Sequence, residues 1–151
     1  MYPLTHFLFP LTISYLLFPF DIALIIAFFS ALMDLDHFLY HLFKKKSISL
    51  VESWNNAVQG KEHERTFIHH FPGFIFMTGV IFFMAFLNVK ISLCVAIAYY
   101  SHMFLDYVPI RIKKDQKKHL KLFDLFINLT THEVLLDLFL VVVLFFLALV
   151  S

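Results

Sequence analysis

The sequence predicts an all-α bundle of about five membrane-embedded helices, forming one domain over residues 1–151. Composition is the first reason: 60% of the residues are hydrophobic, 19% aromatic and 15% charged, against roughly 45–50% apolar and about 25% charged in ordinary soluble domains. A globule of this size buries only about 68–70% of its unfolded surface, so the 21 Phe would leave large apolar patches in water. The second reason is the length of the apolar runs, and the third is that the few charges fall together between them. With 3 Gly, 5 Pro and 1 Cys, collagen-like, disordered and disulfide-rich classes are excluded. Cys94 has no partner for an intrachain disulfide, so thiol chemistry is not expected. The N-terminus lacks the basic region and cleavage site of a secretory signal and reads as mature sequence.

The apolar runs cover residues 4–18, 22–42, 67–87, 91–108 and 134–150. A spanning helix needs about 20 apolar residues. The first run is short, contains Pro10 and ends at Pro19, which predicts a kinked span or a re-entrant helix hairpinned with the second through Phe18-Pro19-Phe20-Asp21. Asp21 then serves an interfacial turn or helix cap. The third and fourth runs join through the tight connection Asn88-Val89-Lys90. None of the runs alternates with polar residues, so strands are disfavoured.

Eleven of the 12 Lys and Arg lie in two polar stretches, as Lys44, Lys45, Lys46, Lys61 and Arg65, then Arg111, Lys113, Lys114, Lys117, Lys118 and Lys121. Five spans put both stretches on one face, and the positive-inside rule makes that face cytoplasmic, with the N-terminus inside and the C-terminus outside. The Lys runs are solvated loops that set topology, with contact to anionic lipid headgroups as a second role. His41 and His119 beside them are surface residues.

This topology collects the ionisable side chains at one depth. His6 opens the first helix; Asp34, Asp36, His37 and His41 end the second; His63, Glu64, Arg65, His69 and His70 straddle the start of the third. His102 and Asp106 lie near the end of the fourth, and His132, Glu133 and Asp137 open the fifth. Each group has a structural explanation taken singly, such as a hydrogen-bonded His102–Asp106 pair or acids favoured in a first helical turn. Their convergence in a chain with so few charges points to one shared site.

Spacing supports metal binding. His102 and Asp106, four apart, share a helix face from which both can reach one ion, and Asp34, His37 and His41 share another if the helix continues that far. Adjacent His69 and His70 diverge by about 100°, so one of them at most is a ligand. His and carboxylate donors without Cys suit a hydrolytic centre of one or two divalent ions, with Zn the first choice and Mn, Fe or Mg as alternatives.

Thr5-His6, Asp34-Leu35-Asp36-His37, Glu64-Arg65-Thr66-Phe67-Ile68-His69 and Ser101-His102-Met103-Phe104-Leu105-Asp106 resemble, in order, the motifs of the YdjM-like membrane-bound metal-dependent hydrolases. That family is distantly similar to zinc-dependent phospholipases C and single-strand nucleases. The resemblance covers about the first 110 residues and implies metal-site roles for His6, Asp36 with Asp34 or His37, His69, and His102 with Asp106. Where the family has the first His of its His-Arg pair this chain has Glu64, so either Glu64 replaces that ligand or a one-residue shift brings in His63. Asp124, Glu133 and Asp137 rest on position alone.

The function expected is hydrolysis of a phosphoester of a lipid or another amphiphile at the cytoplasmic membrane face. Arg65 would clamp phosphate, and Glu64 or His70 would relay protons. Two other classes compete. A metal or proton transporter would need ionisable groups at several depths, whereas the far halves of the helices carry only Asp21 and Lys90. A non-catalytic membrane scaffold would use the same cluster for stability or for a partner. Nucleic-acid binding is disfavoured, since the basic runs lack interleaved aromatic residues.

Overall fold

The computed structural model describes residues 3–35, 49, 51, 67–107, 118–122, 125–129 and 131–150. Helix dominates, as the apolar runs predict. Among the described residues the α-helices are α1 (Pro3–Tyr15), α2 (Phe20–Leu32), α3 (Phe71–Leu87), α4 (Val89–Tyr107) and α5 (Thr131–Val150), with a 3-10 turn at Phe67–His69 before α3. One departure lies in the second polar stretch. There β1 (Lys118–Leu122) and β2 (Leu125–Leu129) pair antiparallel, with Leu122 opposite Leu125.

The helix lengths also depart from the apolar runs. Proline explains two of these differences. Pro19, which has no N–H to donate, stands as the N-cap of α2 and separates it from α1. Pro72, in the first turn of α3, delays that helix to Phe71, so that Phe67–His69 forms a separate turn. The run expected over 22–42 is helical to Leu32 and turns at Met33 and Asp34, and residues beyond 35 in it lie outside the described ones. Among the described residues one helix, His132–Val150, is long and apolar enough to cross a bilayer, while Phe20–Leu32 and Phe71–Leu87 are apolar but shorter.

The α1–α2 hairpin forms as the Pro10 and Pro19 positions predict. Pro10 sits inside α1. Lacking an N–H, it cannot bond the carbonyl of His6, and its ring crowds that carbonyl, so the chain is perturbed at the residue that enters the site. Ser14 closes the hairpin: its hydroxyl donates to the Pro10 carbonyl at 2.6 Å and lies 3.3 Å from that of Ala23. Leu11, Ala23 and Ala27 form the small buried contact between the two helices, where the alanines allow close approach.

Helix α1 packs on α2, α4 and α5, α2 also packs on α4, and α3 packs on α4. The α3–α4 contact is built around Ile81, Tyr99 and Met103. Ser92 ties the opposite end of this pair by donating to the Ile81 carbonyl at 2.7 Å. This arrangement brings the start of α1, the end of α2, the turn before α3 and the end of α4 to one place.

Candidate metal centre

Five ionisable side chains from four segments form a closed ring at that place. His6 Nε2 lies 3.3 Å from Asp106 Oδ1, and Asp106 Oδ2 lies 3.7 Å from His69 Nε2. His69 Nε2 is 2.9 Å from His102 Nε2, and His102 Nε2 is 3.6 Å from Asp34 Oδ1. Asp34 Oδ2 closes the circuit 4.0 Å from His6 Nε2. The three imidazoles are fully buried, Asp106 is 4% exposed, and Asp34 at 22% is the member nearest solvent. The ring planes of His6 and His102 stack, with centroids 4.2 Å apart.

Local structure aims each donor. At the end of α2 the chain tightens, with the Met33 N–H bonding the Ser30 carbonyl, and Asp34 follows directly. Helix C-termini leave carbonyls without an intrahelical partner. The Ser30 carbonyl takes a second donor, His102 Nδ1, at 2.9 Å. A carbonyl only accepts, so Nδ1 carries the proton, and a neutral His102 then presents a bare Nε2 to the ring.

The turn that carries His69 is held from three directions. Tyr99 donates to the Ile68 carbonyl at 3.2 Å, and Tyr107 donates to the carbonyl of His69 itself. Below it, Gly73 lets α3 approach so closely that a Cβ there would overlap the Phe67 carbonyl and the Ile68 Cα. Spacing alone did not identify Tyr99, Tyr107, Ser30 or Gly73. Their link to the site is through backbone atoms distant in sequence, and a Tyr 31 or 38 residues from the carbonyl it bonds carries no mark of its partner.

The donor set fits a divalent cation on three counts. Donors about 2.0–2.2 Å from one ion stand roughly 2.9 Å apart at right angles and roughly 4.2 Å apart across it, and every edge of the ring lies in that range. Two carboxylates with neutral imidazoles carry a charge of about −2, which is costly to bury without a cation. Neither nitrogen of the buried His6 makes a hydrogen bond, although buried polar atoms are ordinarily satisfied. A network of His–Asp ion pairs alone would account for the charges and includes His6, but it leaves both His6 nitrogens without a hydrogen bond.

Of the residues singled out by sequence, the structure brings together His6, Asp34, His69, His102 and Asp106. They fall into two groups of possible ligands, His6, His102 and Asp106, and Asp34, His69 and His102. His70 is exposed at the N-cap of α3, makes no capping hydrogen bond with its side chain, and belongs to neither group. Glu133 and Asp137 are buried on α5, beside α1, and His132 is exposed; none of the three joins a ligand group. Asp36, His37, His41, His63, Glu64 and Arg65 lie outside the described residues.

No known family model matches this chain, and neither does any curated protein or solved structure.

Proposed function

We propose that this protein is a membrane-embedded, metal-dependent hydrolase of the YdjM-like kind, acting on a phosphoester of a lipid or other amphiphile at the cytoplasmic face. The observation that carries this reading is the closed ring of three imidazoles and two carboxylates. His6, Asp34, His69, His102 and Asp106 are the residues that would hold a divalent ion. The two groups of ligands share His102, whose Nδ1 is committed to Ser30. One Nε2 lone pair serves one ion, so His102 would complete only one of the two groups at a time. A bound divalent ion supplies Lewis-acid polarisation of a phosphoryl oxygen and lowers the pKa of a water molecule to near neutrality.

The remaining roles fall to the chain's own side chains. His102 is fixed in orientation by Ser30, and the turn that carries His69 is braced by the two tyrosines, so both residues are held in place before any ligand arrives. Arg65 is four residues before His69 in the chain and supplies a planar fork suited to phosphate; Glu64 or His70 relays the proton. The membrane placement draws on the outer surface, where Phe82, Phe83, Phe86, Phe145 and Phe146 are each about two-thirds exposed or more. Bilayer accommodates such a face far more readily than water. An integral bundle with short helices also fits α1 and α2, whose backbone bonds are satisfied within each helix.

Metal analysis of the detergent-purified protein tests the reading. Wild type should hold about one equivalent of Zn, Mn or Fe through gel filtration, and Asp106→Ala should hold less than a tenth of that. Wild type without metal, or equal occupancy in both proteins, would refute it.

A further inference from the structure

Helix α4 carries two neighbouring stripes. Tyr99, His102 and Asp106 face the metal-ligand ring and its supports. Tyr100, Met103, Phe104 and Tyr107 follow the same helical spacing about a third of a turn away. This second stripe, with Phe71 and Phe74 of α3, lines a cleft of about 360 Å³, at the small end of the roughly 300–1,000 Å³ of small-molecule sites.

The cleft is apolar for a specific reason. It contains two tyrosines, yet both hydroxyls are taken up elsewhere: Tyr100 donates to Thr78 Oγ1 at 3.0 Å and Tyr107 to the His69 carbonyl. What remains for an occupant is aromatic faces and a thioether, with no charge. Phe71, Phe104 and Tyr107 are each more than half exposed at its rim, so the cleft opens on the same apolar exterior as the rest of α3 and α4. Tyr107 belongs to both features, lining the cleft with its ring while its hydroxyl braces the turn bearing His69. An uncharged slot therefore adjoins a strongly polar one.

We propose that this cleft holds a single hydrocarbon chain of an amphiphilic phosphoester whose charged headgroup lies at the His/Asp ring. The inference rests on the hydrolase reading and adds to it the number of chains and the place where the chain lies. The polarity of the two sites matches that of the ligand end for end. The cleft's small volume and lateral opening favour one chain entering from the side over a large polar substrate entering from water.

The experiment uses Co²⁺-loaded protein in phosphatidylcholine nanodiscs with two hydrolysis-inert probes. Methylphosphonate reports on the headgroup site by shifting the Co²⁺ absorption band. Dodecylphosphonate with a mid-chain diazirine reports, by photolabelling and peptide mass spectrometry, where the chain lies. The expected result is a band shift with both probes and label concentrated on Phe74, Met103 and Phe104, displaced by unlabelled dodecylphosphonate and, at higher concentration, by methylphosphonate, which shares the headgroup site. Label spread equally over Phe82, Phe86 and Phe145 with the band shift intact would overturn the cleft and leave the hydrolase reading standing. A band unmoved by either probe would overturn both. Met103→Trp fills the cleft, and Phe71→Trp does so from an exposed position that folding tolerates. Either should cut cleft labelling at least tenfold with the methylphosphonate shift retained, and unchanged labelling in both variants would also refute the proposal.

Discussion

One end of the helix bundle buries polar side chains, and the other exposes apolar ones. At one end, His6, His69, His102 and Asp106 are hidden among helix termini, with every donor braced or facing another. Toward the other end of α3, Phe82, Phe83, Phe86 and Leu87 stand 64–74% exposed. Polar side chains inside and aromatic side chains outside is the reverse of a water-soluble domain. The polar end is specified by pairwise geometry, where small displacements matter. The apolar end needs only to be greasy. Substitutions should therefore act very differently on metal affinity at the two ends.

The largest effect should come from His6→Ala. This imidazole is fully buried with neither nitrogen hydrogen-bonded, so its removal takes a ligand from the holo protein but no hydrogen bond from the apo protein. Titration with Zn²⁺ should show a loss of more than 100-fold in affinity. Chelator should lower the unfolding free energy of wild type, by about 4 kcal/mol if free metal had been about 1,000 times its Kd, and should barely affect the variant. If chelator destabilised both equally, the polar end would not be a metal centre.

Next is Gly73→Ala. The added methyl must push on the Phe67 carbonyl and Ile68 Cα, and the displacement passes through one short turn to His69. Changes to groups that orient a ligand typically cost about 10–100-fold in metal affinity. That range is expected here, with helix content by circular dichroism unchanged. Gly79, in the same helix but with no heavy atom near its missing Cβ, is the control: Gly79→Ala should leave affinity within about twofold. Equal losses in both variants would mean that the helix, and not the turn, is what matters. Tyr107→Phe should be milder still. It removes one hydrogen bond to the His69 carbonyl, worth about 1 kcal/mol, and Zn²⁺ affinity should fall about fivefold.

How much of this was legible in the sequence divides along the same line. The helical class follows from apolar runs, which need no partner to be recognised. The five ring residues could be singled out because His and Asp are conspicuous in a chain with 15% charge. What could not be read was the selection among them: His69 over the adjacent His70 is decided by the turn that Pro72 and Gly73 impose, and that turn becomes visible only when α4 packs against it. Helix ends were misjudged where tertiary contacts set them, as at Leu32, after which the Ser30 carbonyl bonds His102 from a helix far along the chain. The β1–β2 hairpin gave no warning, because Lys-rich residues of the second polar stretch mask its strand pattern.

The smallest effect on the metal centre should come from the apolar end, and there the sign of a different measurement is informative. Phe82 is 66% exposed and contacts Phe86 edge-on along the same helix face, with ring centroids 5.2 Å apart. Phe82→Asp should leave Zn²⁺ affinity within about twofold in detergent, since nothing connects this side chain to the ring. In a bilayer, an aspartate costs up to about 2.5–3.5 kcal/mol, the value at a helix centre on insertion scales, so the variant should be recovered from membranes in reduced amount and be more readily extracted by alkaline carbonate. If the exposed face instead met water, the same substitution would break up an apolar patch and raise solubility. A gain of soluble, metal-binding Phe82→Asp protein would thus show that the exposed face meets water while leaving the polar end intact.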